Sequence, residues 1–150
     1  MSRLIPIPLD ISNCYLYRVL RKYDELTRGR THFASGLTGI QELVRQITTK
    51  EHCVKIREKE LEVKAKIFQY YDFTPHDIEH CLSVAQIIEK LLFGLDVVTK
   101  LQTEVEKCES PEDAERKIRE SLGISIVDVF LLLASVMLHD IGMFPTQDLY

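Results

Sequence analysis

The 150-residue sequence has no surplus of positive charge, no closely paired cysteines and no apolar run long enough to span a bilayer. A formal net charge of −4 and a pI near 5.7 remove the electrostatic reason to expect an obligate nucleic-acid partner. Cys14, Cys53, Cys81 and Cys108 are scattered without a CxxC pair, which argues against a disulfide-stapled scaffold and fits a reducing, cytoplasmic setting. The oiliest window, Ile124 to Leu138, falls short of the roughly 20 residues a membrane helix needs, and it carries Asp128. The opening stretch MSRLIPIPLDI is interrupted by Pro6 and Pro8, so it does not read as a signal peptide, and no membrane association is expected. Repeats, low-complexity segments and the alternation of half-buried strands are all missing, which leaves an all-α fold.

What is present is a globular composition, 45% apolar and 28% charged, on a chain long enough for one hydrophobic core and too short for two. Met1 to Leu9 reads as an extended arm. From Asn13 to Leu26 the apolar residues Tyr15, Leu16, Val19, Leu20, Tyr23 and Leu26 fall at helical spacing, with a stop near Gly29. Arg28 to Gly36 reads as a loop, and Thr38-Gly39-Ile40-Gln41 has capping-box spacing for a helix through Ile47. Lys50 to Tyr71 is charge-rich with irregular apolar spacing, the pattern of a solvated helix face rather than a partner-binding one.

Three helix-start signals follow. Thr74-Pro75-His76-Asp77 combines a capping hydroxyl, a proline at the first helical position and an acid. The helix it predicts runs to about Leu101, with Val84, Ile87, Ile88, Leu91, Leu92, Leu95 and Val98 toward the core. His80, one turn before Val84, joins that face, and His76 stacks on His80. Ser110-Pro111 opens a polar helix that Gly123 closes, and Ser125 with Asp128 opens the last one. From Val129 to Leu138 that last helix is apolar on every side except at Ser135, so it is expected to be wrapped by other helices.

This oily helix ends on LHDIGM, Leu138 to Met143. An aspartate there has to be paired, hydrogen-bonded or metal-bound to offset its desolvation. His80, His139 and Asp140 together form a borderline ligand set that suits Mn, Fe, Ni, Co or Zn, with Mg also open. A divalent ion held there would make water a usable nucleophile near neutral pH. Taken separately, the same residues also read as a satisfied core histidine and a helix cap. A structural zinc site drawn from His76, His80, Cys81 or Cys108 is a further alternative, disfavoured by irregular spacing.

HCLSV, from His80 to Val84, and LLLASVMLHDIG, from Leu131 to Gly142, resemble the HD-domain metal-dependent phosphohydrolases. The pattern of that family is a histidine followed, after three residues, by a valine-like core position, then an apolar helix ending in His-Asp, usually followed by Ile-Gly. The likeness covers about Tyr71 to Met143. YYDFTPHDIEH with LHDIGM is similar, more faintly, to HD proteins fused to or encoded beside Hsp90-like ATPase modules.

The resemblance implies a helical HD-like core over 71–150, preceded by an N-terminal helical extension over 1–70 in one compact unit. It makes His80, His139 and Asp140 the metal ligands. It also gives catalytic roles to Asp140, beside a bridging water where a second metal binds, and to His76, a phosphate contact in the first turn of its helix. The implied substrate is a nucleotide or another phosphate ester.

Two departures qualify the match. The family completes its metal shell with an aspartate from a later helix, whereas Asp148, just beyond Pro145, is the only acid after Asp140. The HD-type domain therefore reads as incomplete, to be finished by further chain, a protein partner or an oligomer. The His80 to His139 separation is also long for the family, and the extra length maps onto Glu104 to Leu122 as an insertion over the site or a partner contact. The alternative function is a non-catalytic helical module that keeps the HD scaffold for sensing or assembly.

Overall fold

The computed structural model describes residues 9–49, 78–139 and 141, and among these every regular element is helical. A 3-10 turn, Ile11–Asn13, leads into α1 (Tyr15–Leu26) and α2 (Phe33–Thr49). After residues 50–77 come α3 (Ile78–Phe93), α4 (Leu95–Glu106), α5 (Pro111–Leu122) and α6 (Ile126–Leu138). The expected all-α class is observed. The predicted charged helix from Lys50 to Tyr71 and the predicted start at Thr74-Pro75 lie outside the described residues.

Where the start signals are local, they act as the sequence implies. Ser110 Oγ accepts from the Asp113 N–H at 3.2 Å with Pro111 in the first turn, and Gly123 ends α5 at φ 72°, a left-handed conformation that glycine adopts without a Cβ penalty. Ser125 and Asp128 make the reciprocal capping box that opens α6.

Two expected boundaries are corrected. The 28–36 stretch is not all loop, because α2 begins at Phe33 rather than Thr38. Asp24, from the last turns of α1, accepts the Phe33 and Ala34 N–H groups at 3.1 and 2.8 Å, so the cap comes from a neighbouring helix. Thr38 is inside α2, with its hydroxyl bonded back to Ala34 O. The single long helix expected up to Leu101 is in fact α3 and α4, broken at Gly94, whose φ of 87° no helix contains.

The core is built on α6 and α1. Helix α6 packs against α1, α2 and α3, and α1 packs against α2, α4, α5 and α6. Leu16, Leu20, Leu82, Leu101, Ile118, Leu133 and Met137 are fully buried between them. Each such side chain contributes about 1.5–3 kcal/mol of transfer free energy. Phe33 joins α1 to α6 through Tyr23 and Phe130, at ring-centre distances of 6.1 and 5.3 Å.

Two burial expectations are overturned. Helix α6 is not wrapped on all sides: Val127, Leu131 and Ser135 form an exposed stripe, with Leu131 53% exposed. Helix α3 is rotated from the expected face, so of the expected stripe Val98 is fully buried and Val84 and Ile88 pack against the core, but the other four are not. Its buried stripe is Ile78, Cys81, Leu82, Ala85 and Glu89, while Ile87, Leu91, Leu92 and, in α4, Leu95 are exposed, Leu91 by 78%. Region 104–122 is not an insertion over the His139 end. Ala114 and Ile118 of α5 are buried, α5 packs on α1 and α4, and it leads into the start of α6, about 20 Å along that helix from His139. No single helix among the described residues is long and apolar enough to cross a membrane.

Candidate metal centre

His80 stands in the first turn of α3, and His139 caps the C-terminal end of α6. Helices α3 and α6 pack on each other, and the start of one meets the end of the other. The two imidazole rings lie 5.6 Å apart between centres, tilted by 52°. With metal–nitrogen bonds of about 2.1 Å, two imidazoles on one ion place their centres roughly 4.5–6 Å apart. The pair therefore fits a shared ion in spacing as well as in donor type.

The local backbone also selects a tautomer. Nδ1 of His139 is hydrogen-bonded to the Val136 carbonyl oxygen, which can only accept, so Nδ1 is the donor. In the neutral ring this places the lone pair on Nε2, the arrangement in which a backbone carbonyl orients a ligating histidine. His139 is exposed and His80 half-buried, so the pair sits at the rim of the bundle rather than in its centre. His80 thus does not face the core, as its spacing from Val84 had implied, because α3 buries the stripe on its other side.

His76, Asp77 and Asp140 lie outside the described residues. Among the described residues no group of three His, Cys, Asp or Glu side chains is placed to hold a metal; of the three residues expected as ligands, the structure brings His80 and His139 together. The structural-zinc alternative loses one of its donors: Cys108 sits in the α4–α5 turn, with its thiol on Glu104 O and close to Asp113. Residues 68–150, more than half the chain, match the HD-CE family model. The chain belongs to the HD-CE family, an HD-like domain. Comparison with curated proteins and with solved structures finds no match to this chain.

The HD-CE domain also holds a buried acid that spacing rules passed over. Glu89 of α3 is 1% exposed, and its two oxygens accept the Tyr15 and Leu16 N–H groups at the start of α1, at 3.1 and 3.0 Å. Burial raises its carboxyl above the usual carboxylate range, against the pull of those two bonds and of Lys90 and Arg18. The signal was available: Glu89 continues the Ile78, Cys81, Leu82, Ala85 stripe at helical spacing. Beside it, the Cys14 thiol is pushed up to about 12, first by burial and then by the Glu89 charge, which leaves it no nucleophile.

Proposed function

We propose that this HD-CE chain is a metal-dependent phosphohydrolase of the HD type, in which His80, His139 and Asp140 hold a divalent cation and the substrate is a nucleotide or another phosphate ester. The observation that supports it is the contact between the His80 and His139 rings, made at the junction of two helix ends far apart in sequence. The chemistry such an ion supplies is activation of water near neutral pH and polarisation of a phosphoryl oxygen.

The chain's own residues have separate tasks. His80 and His139 present imidazole nitrogens from two helices whose relative placement the core fixes. The Val136 carbonyl holds the His139 ring in the tautomer that can ligate. Asp140, the next residue, brings the anionic oxygen that neutralises part of the cation's charge, and His76 is assigned to a substrate phosphate oxygen.

The test is metal analysis of the purified chain beside His80→Ala, His139→Ala and, as a control on another surface, His32→Ala. Metal content is expected to fall in the first two variants only, and phosphate release from a panel of nucleotides and esters is expected to fall with it. Equal metal content in wild type and His139→Ala would overturn the assignment. The exposed Ile87, Leu91 and Leu131 favour one other reading, a non-catalytic module for sensing or assembly. Metal bound through both histidines with no phosphate release from any member of the panel would select it.

A further inference from the structure

Helix α3 packs Val84, Ile88 and Phe93 against the core as well as its fully buried residues, yet one of those buried residues is an acid. Toward the core it presents Ile78, Cys81, Leu82, Ala85 and the carboxylate of Glu89, and it leaves Ile87, Leu91 and Leu92 largely in solvent. Apolar burial is non-directional and scales with area, so on that criterion alone α3 would not turn a carboxylate inward while Ile87 and Leu91 stay outside. Some directional interaction has to select the observed rotation.

Glu89 makes the interaction with the required geometry. Helix α1 starts after Cys14, whose side chain makes no capping bond. Its first N–H groups need acceptors and favour an anion. Both Glu89 oxygens meet that need, one on Tyr15 N–H and one on Leu16 N–H, so the rotation of α3 about its axis and its height along α1 are fixed together. The partners come from residues 9–49, outside the segment that matches the HD-CE model. His80 stands on the same helix nine residues earlier, about 13 Å along the axis. A turn of α3 that brought Ile87 and Leu91 inward would carry the His80 ring away from the rim where His139 sits.

We propose that Glu89 is a positioning residue: its two bonds to the start of α1 hold α3 in the rotation that sets His80 against His139. The role for metal affinity rests on the reading of that pair as ligands, whereas the rotation itself does not. Buried polar groups that select one register over a more apolar competitor are known to act in this way in coiled coils.

The test uses the full chain, Glu89→Leu and Glu89→Gln, with two readouts. The first is the nuclear Overhauser contact between the His80 and His139 ring protons, measured without metal. The second is Co(II) titration followed by its ligand-field bands. Wild type is expected to show the ring contact. Glu89→Leu is expected to keep its helix content by circular dichroism, lose the ring contact and bind Co(II) more weakly by roughly tenfold or more.

Ring contact of wild-type strength in Glu89→Leu overturns the proposal. If Glu89→Leu does not fold, Glu89→Gln carries the test. It keeps the size and one acceptor, and it is expected to show a weakened ring contact with faster hydrogen exchange at Tyr15 or Leu16, while an unchanged contact overturns the idea. Should wild type bind no Co(II) while the ring contact still follows residue 89, the metal reading fails and the positioning role stands.

Discussion

Gln41→Ala is the perturbation whose consequences the structure defines most closely. Gln41 lies on α2, 4% exposed, and bonds in two directions. Its Oε1 accepts the N–H of fully buried Ile11 at 2.7 Å, and its Nε2 donates to Asp10 Oδ2 at 2.9 Å. Asp10 in turn caps the 3-10 turn through Ser12 N–H at 2.9 Å. Truncation leaves a buried N–H without its acceptor, which costs about 1–3 kcal/mol, and removes a charge-assisted bond worth about 1 kcal/mol more. The expected loss is about 2–4 kcal/mol, or roughly 6–13 °C in Tm for a chain of this size.

The same bond controls a pH dependence. Gln41 is the largest of the influences that hold the Asp10 carboxyl below its usual range. A carboxyl with a depressed folded pKa adds stability above its unfolded pKa and loses it as pH falls through the folded value. The difference between wild type and Gln41→Ala should thus be largest near neutral pH and shrink in acid. Glu89, raised by burial, works in the opposite sense: its share of the stability is greatest in acid and declines as pH rises through its folded pKa. Urea unfolding of both proteins at several pH values between neutral and acid is the assay. A loss under about 0.5 kcal/mol at neutral pH, or a difference that grows in acid, would refute the reasoning.

Two further substitutions test the packing. Leu133→Ala, at a fully buried position of α6, should cost about 3 kcal/mol, whereas Leu131→Ala two residues earlier should cost under about 1 kcal/mol; comparable losses in urea would mean that the exposed stripe of α6 is covered. Gly123→Ala should cost about 1 kcal/mol in thermal unfolding from backbone conformation alone, because φ is 72° and, beyond its two chain neighbours, nothing lies within 4 Å of the added carbon. A neutral result there would show that α5 can end without a left-handed residue.

Local signals in the sequence proved sufficient wherever the structure is made locally. The caps at Ser110 and Ser125, the stop at Gly123 and the apolar stripe of α1 are all read correctly from neighbours a few residues apart. Two of the errors occur where a distant side chain decides. The start of α2 depends on Asp24 from another helix, and the rotation of α3 depends on a carboxylate that periodicity counts as polar and therefore places outside. Gly94 was legible as a residue but not as a break, because only its positive φ separates α3 from α4. At the site, the meeting of His80 with His139 was anticipated from their helices, and the direction from which His80 reaches it was not.

The errors at the start of α2 and in the rotation of α3 share a cause that bears on the candidate site. Three helical starts in the N-terminal part are closed by side chains from elsewhere in the chain or by short polar networks: Asp24 for α2, Glu89 for α1, and Asp10 with Gln41 for the 3-10 turn. Each bond gains little net energy, since water competes for the same groups in the unfolded chain. Each is costly to misplace, because a wrong rotation buries an unpaired donor or carboxylate. Apolar surface supplies the drive to collapse, and these few bonds decide which collapsed arrangement persists. The two imidazoles stand at the ends of different helices, so their spacing depends on how those helices are set. Altering the α1–α3 junction at Glu89 is therefore expected to disturb the His80–His139 pair more than trimming an exposed apolar side chain of the same helix such as Leu91.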